Sequence, residues 1–203
     1  NELLPKALKL YPAKEAVVCG DVRMDYACFA GRVWRLAKAL SSLGLRMGDR
    51  VAILHENCHV FLEAYFAAAH LGLILVPLNI RLAPREMAMI LNDSRSRILI
   101  IQVRFRDMST ELTTLASSLE RLIWSQGMVP GACGERDMGY EALLAQYDGT
   151  PPPDLAVHDD DVAHLYYTSG TTGRPKGVML THKNVKSHAL GTIAELQLTD
   201  RDH

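Results

Sequence analysis

The chain has 203 residues, 48% of them apolar and 22% charged, with a formal net charge of −1 and a pI near 6.8. That size fits one domain or one and a part, and the near-neutral charge excludes a dedicated nucleic-acid binder, which carries a basic excess. No apolar run reaches the roughly 18–20 residues of a membrane span. The four cysteines, Cys19, Cys28, Cys58 and Cys133, form no C-x-x-C pair, so buried reduced thiols in a cytoplasmic protein are expected.

In chain order, Glu2–Leu10 reads as a short helix stopped near Pro12. Ala16–Cys19 and Arg23-Met24 flank Gly20-Asp21 as a hairpin. Asp25 then caps a helix whose apolar stripe is Phe29, Val33, Leu36, Leu40 and Leu43. Arg32, Arg35 and Lys38 fall largely off that stripe, and scattered arginines are expected at the solvated surface. Gly44 is placed to end the helix in left-handed geometry. Strands and helices then alternate. Val51–Leu54 is a strand, Asn57 caps a helix ended by Gly72, and Ile74–Val76 is a strand. Pro84 opens a helix to about Leu91, Ile98–Ile101 is a strand, Thr110–Leu119 a helix and Leu122–Trp124 a strand. Gly127–Gly139 reads as loop, Tyr140–Tyr147 as a short helix and Thr150–Pro153 as a stiff connector. His164–Thr168 is a strand, Val178–Leu180 another, and Lys183 to about Glu195 a helix. This alternation predicts an α/β fold, a mostly parallel sheet with helices on both faces.

The most informative run is Tyr166-Tyr167-Thr168-Ser169-Gly170-Thr171-Thr172-Gly173-Arg174-Pro175-Lys176-Gly177. Its glycines allow close backbone approach to a ligand, and successive N–H groups in such a turn form a concavity for oxyanions. Thr168, Ser169, Thr171 and Thr172 add hydroxyls, and Lys176 adds a point charge suited to phosphate. The ligand this pattern fits is a polyphosphate with magnesium. It is not a Walker A loop, which needs Gly-Lys-Ser/Thr followed by a helix; here Lys176 follows Pro175 and a strand resumes. The bland alternative is a surface turn rich in Ser, Thr and Gly.

Thr168–Gly177 also resembles, without a departure, the phosphate-binding loop of the adenylate-forming (AMP-binding) enzymes: acyl- and aryl-CoA synthetases, peptide-synthetase adenylation domains and luciferases. Asp161-Val162 and Thr181-His182 fit its flanks. Gly48–Leu54 with Glu56-Asn57, and Ala64–Ala68 through Val76–Asn79, resemble earlier family segments. Asn79–Leu82, Glu86 and Ile90–Ser94 are most similar to the fatty-acyl-CoA ligase branch. The resemblance implies formation of an acyl-adenylate from a carboxylic acid and ATP with magnesium, then thioester formation with CoA. The implied phosphate-binding residues are Thr168, Ser169, Gly170, Thr171, Thr172, Gly173 and Lys176; no catalytic residue and no metal ligand is assigned. It also implies two parts, 1–46 packing in part on a neighbouring subdomain and 47–203 forming a sheet-centred subdomain. Family members carry an adenine site, an acyl pocket and a C-terminal domain beyond this loop, so the chain reads as an N-terminal piece, inactive alone. Alternatives within the resemblance are an adenylation domain serving a carrier protein and a luciferase-like oxygenase. Outside it stands a simple structural or nucleotide-binding module.

Three further patterns carry less. His55-Glu56-Asn57-Cys58-His59 spells H-E-x-x-H, the zinc-protease pattern, which needs both histidines on one helix face. With Asn57 as the cap, the two imidazoles do not align. Asp159-Asp160-Asp161 reads as a solvated acidic turn rather than a magnesium site. His182 reads equally as a helix-start residue with a hydrogen bond or as a ligand contact, and is given no catalytic role.

Overall fold

The computed structural model describes residues 3–127, 136–168 and 175–199. The elements in order are α1 (Leu3–Leu10), β1 (Glu15–Cys19), β2 (Val22–Asp25), α2 (Tyr26–Ser42), β3 (Arg50–Leu54), α3 (His59–Leu71), β4 (Ile74–Pro77), α4 (Pro84–Ser94) and β5 (Ile98–Gln102). There follow α5 (Arg106–Leu115), β6 (Arg121–Ser125), β7 (Asp137–Gly139), α6 (Tyr140–Leu144), β8 (Val162–Thr168), β9 (Lys176–Thr181) and α7 (His182–Glu195). β1 and β2 form a separate hairpin, and the other strands form a seven-stranded sheet in the order β7-β6-β5-β3-β4-β8-β9. Every pairing in it is parallel except β8 with β9. The α/β expectation with a mostly parallel sheet is therefore met.

Side chains alternate across a strand, and here both faces are covered. Val51, Ile53, Leu75, Ile98, Ile100 and Ile123 join a core made with α1, α2, α3, α6 and the hairpin. Ala52, Leu54, Val76, Leu99, Ile101, Leu122 and Trp124 join a second core with α4 and α5. Strands buried on both faces need near-continuous apolar sequence, which explains Ile98–Ile101. The buried apolar side chains of residues 4–45, among them Leu4, Met24, Phe29 and Leu36, belong to the first of these cores.

Local signals hold at several ends. The Asp25 carboxylate accepts from the Cys28 N–H at 2.7 Å, satisfying one orphan donor of α2. Gly72 ends α3 at φ +63°, and the Leu73 N–H closes onto the Ala68 carbonyl at 2.9 Å. Glu86, in the first turn of α4, accepts from the Ala83 N–H at 2.8 Å.

Five expectations are corrected. Cys58, not Asn57, occupies the N-cap position of α3, with extended backbone and no side-chain cap. α5 starts at Arg106, because the 3-10 turn Val103–Phe105 feeds straight into it, and it ends at Leu115. Leu112, Ala116 and Leu119 mimic helical spacing, but Ala116 and Leu119 are buried in the turn into β6. Asp137–Gly139, read as loop, forms β7 by pairing with the edge of β6; such a short strand is made by its partner rather than by its own pattern. Arg32 is not solvated surface, since its side chain is only 18% exposed between two carboxylates. Cys28 is an exposed thiol rather than a buried one. Cys133 lies outside the described residues.

Candidate functional site

In a parallel sheet the strands end on a common edge, and ligands bind in the crevice beyond their carboxyl ends. β3, β4, β5 and β8 bring Leu54, Pro77, Gln102 and Thr168 to that edge. Thr168 pairs with Lys176 as the last rung of the β8–β9 ladder. Both are exposed at the tip of the hairpin, so a hydroxyl and an ammonium stand together at its mouth. Among the described residues no carboxylate lies within ion-pair distance of Lys176. An ammonium without a carboxylate partner is available to an anionic ligand. Ser169, Gly170, Thr171, Thr172 and Gly173 lie outside the described residues.

The strand leading to this tip is held by contacts that sequence reading did not single out. The Tyr167 hydroxyl donates to Asp93 Oδ2 of α4 at 2.5 Å, and burial with the Asp93 charge raises the phenol above its ordinary value. On the opposite face the Tyr166 and Tyr65 hydroxyls share a hydrogen bond. Burial, then that bond, raises the Tyr65 phenol as well. Gly177 lies under this structure: a Cβ there would meet Leu165 Cδ1 at 3.0 Å and Tyr167 Cζ at 3.1 Å. The glycine thus serves close packing within β9. The signal available in sequence was the tyrosine pair Tyr166-Tyr167, whose adjacency sends one ring to each face.

His164, 8% exposed, sits below Tyr166 on the same face, with its ring edge-on to Tyr65 at 4.8 Å. Burial and then the nearby His182 push its pKa down to about 4, so it is neutral at neutral pH. His182 starts α7 directly after the cap residue Thr181, whose Oγ1 accepts from the Asn184 N–H at 3.2 Å. The His182 N–H donates to the Asp161 carbonyl at 3.0 Å, and the Lys183 N–H to the Asp159 carbonyl at 2.8 Å. The acidic turn 159–161 therefore docks the start of α7. The Asp161 carboxylate also accepts from the His158 N–H at 2.7 Å.

The H-E-x-x-H letters are split between the residue after β3 and the start of α3. His55, 3% exposed, follows the strand with Nδ1 2.7 Å from the Glu56 carbonyl, and His59 is the first residue of α3. Glu56 pairs with Arg104, which holds its carboxyl below the usual range. Among the described residues no group of three His, Cys, Asp or Glu side chains could hold a metal ion. Nor is any described helix long and apolar enough to cross a membrane.

Comparison with known proteins shows the family and the fold. The family model of the AMP-binding enzyme matches residues 4–202. A feruloyl-CoA synthase of Amycolatopsis sp is 38% identical over 190 residues, 94% of this chain and 35% of that protein. The crystal structure of an anthranilate CoA ligase in complex with anthranoyl-AMP superposes with a TM-score of 0.86 at 26% identity, covering 93% of this chain and 36% of that one. A Mycobacterium tuberculosis fatty acyl CoA synthetase gives a TM-score of 0.81 at 30% identity, with coverage of 94% and 36%. The chain spans about a third of the length of the curated relatives it matches. With the matched segment running from α1 to the end of the described chain, the protein belongs to the AMP-binding enzyme family.

Proposed function

We propose that this chain is the phosphate-handling part of an AMP-forming carboxylic acid–CoA ligase. The observation that supports the reading is the β8–β9 hairpin, with Thr168 paired to Lys176 at the carboxyl end of β8 and no carboxylate within ion-pair distance of Lys176 among the described residues. Thr168, Ser169, Gly170, Thr171, Thr172, Gly173 and Lys176 would hold the β- and γ-phosphates of ATP, with magnesium arriving as part of that substrate. In the reaction the acid's carboxylate attacks the α-phosphate and pyrophosphate leaves; CoA then displaces AMP to form the thioester. Pyrophosphate departs with high negative charge, and donors aimed at it lower the barrier. Residues 1–46 and 47–203 are the two parts, the first making further contacts with a neighbouring subdomain. A cytoplasmic location suits an enzyme drawing on ATP and CoA.

The acid we propose is a fatty acid, on the resemblance of Asn79–Ser94 to fatty-acyl-CoA ligases. A second reading, an aromatic acid, is favoured by the 38% identity to a feruloyl-CoA synthase. Thioester formation with palmitate and with ferulate, by a ligase carrying this segment, separates the two. A carrier protein as acceptor, or oxygen-dependent light emission, would replace CoA dependence in the same assay. The 203-residue chain alone is expected to release no pyrophosphate when given acid and ATP, and release would overturn its being a partial site. In the whole ligase, Lys176→Ala should slow adenylation about 100-fold or more with folding intact. Unchanged acid-dependent ATP–pyrophosphate exchange would remove Lys176 from the site.

A further inference from the structure

On its β4 side β8 has a single register pair, Leu75 with His164. In that register Tyr166 lies level with Pro77, the last residue of β4, so Tyr167 and Thr168 extend past the end of β4 with β9 as their ladder partner. Among the described residues β9 is the outermost strand on that side of the sheet. Among the described residues, backbone pairing with β4 therefore stops short of the hairpin tip, where side-chain contacts with the covering helices can act. Two side-chain tethers do so, one on each face: Tyr167 to Asp93 of α4 at 2.5 Å, and Tyr166 to Tyr65 of α3. They engage the two residues immediately before Thr168. The close seat of Gly177 on Tyr167 carries the same constraint to the residue after Lys176.

We propose that Asp93 and Tyr65 are positioning residues, which through Tyr167 and Tyr166 set where Thr168 and Lys176 stand for the phosphate ligand. Neither touches that ligand. Two opposed hydrogen bonds on adjacent strand residues resist tilting in both directions, which one alone would not. Placement matters here, since small displacements of a positioned group cost large factors in rate and binding. The inference rests on the phosphate-loop reading given above, and the test separates the two.

The test uses the 203-residue chain with inorganic tripolyphosphate as the probe, followed by calorimetry, together with amide hydrogen exchange across 165–168 and 176–180. Tyr167→Phe, Asp93→Ala and Tyr65→Phe should each speed exchange in those segments. Each should weaken tripolyphosphate about fivefold, while the melting temperature stays within about 3 °C. Asp93→Asn keeps an acceptor for the Tyr167 hydroxyl and should restore near-normal exchange and binding. A purely structural role would not show that rescue together with a binding loss. Unchanged exchange in the Tyr167→Phe, Tyr65→Phe double variant overturns the tethers. Faster exchange with unaltered binding, while Lys176→Ala does weaken it, overturns the positioning role alone. If wild type does not bind tripolyphosphate, or Lys176→Ala leaves its binding unchanged, the phosphate-loop reading fails and the positioning role fails with it.

Discussion

Arg32 shows how a residue's neighbours can reverse its reading. Helical periodicity put it beside the apolar stripe of α2, on the side expected to face water. In the fold its Nε donates to Glu63 at 2.7 Å and its two terminal nitrogens to Glu141 at 2.9 and 2.6 Å. Glu63 is fully buried and also accepts from the Tyr140 hydroxyl at 2.6 Å. Those partners lie 31 and 109 positions away in sequence, so no local pattern announces them. Burial pushes the Tyr140 phenol well up, with Glu63 adding to it. Arg32→Ala leaves Glu63 buried without its cation, and breaking such a pair costs about 3 kcal/mol or more. Urea unfolding of the variant checks this, and a loss below about 1 kcal/mol would mean the pair is dispensable.

Two helix ends, the start of α2 and the end of α3, were legible because caps act within a few residues, whereas the N-cap of α3 falls on Cys58 instead of Asn57. Asp25 and Gly72 behave as their sequences require, and each gives a prediction. Asp25→Ala should lower stability by about 1 kcal/mol, the usual value of a cap. Gly72→Ala should lower it more. The residue sits at φ +63°, and a Cβ would meet Met47 Cγ at 2.9 Å and Val157 Cγ2 at 3.2 Å. Left-handed backbone alone costs about 1–2 kcal/mol for a residue with a Cβ. Thermal melts of the two variants should therefore rank Gly72→Ala below Asp25→Ala, and the reverse order would mean that Met47 and the chain around Val157 yield freely. Elements without strong local signals were misplaced. α5 was shifted because apolar residues of a buried turn continued its spacing, and β7 was missed because its ladder with β6 creates it. The hairpin β8–β9 was legible from its apolar runs, but the tethers that aim it were not, since Asp93 and Tyr65 reside on helices over opposite faces.

Buried neutral histidines shape how the folded chain as a unit responds to acid. His55, His164 and His182 all have lowered pKa values, burial being the first cause in each. Such groups bind protons more readily unfolded than folded, so stability is fully present above the unfolded value and falls as pH drops through it. For His164 the window runs from the ordinary 6.5 down to about 4. Across it this one group removes up to about 3 kcal/mol. Glu120 and Glu141 are held low by Arg97 and Arg32 respectively, and their contribution is lost in the same direction below the ordinary carboxylate range. Melting temperature should accordingly decline steadily from pH 7 to pH 5. His164→Phe, which keeps an aromatic ring against Tyr65 and Tyr166, should flatten that profile. An unchanged slope would show that His164 is not its source.

Most of the order of strands and helices, the expectation of an anionic ligand and the place of the loop between two strands all came from short-range chemistry: apolar period, glycine and hydroxyl content, one lysine. These depend on residues adjacent in the chain, so the chain displays them directly. Which loops share the sheet's carboxyl edge, which carboxylates Arg32 joins, and what holds Tyr166 and Tyr167 from the two faces depend on contacts across tens of residues. Hydrogen bonds and ion pairs of that span leave no periodic trace, because a polar residue in search of a distant partner looks in sequence like one facing water. Only packing α3 and α4 onto opposite faces of one parallel sheet decided them.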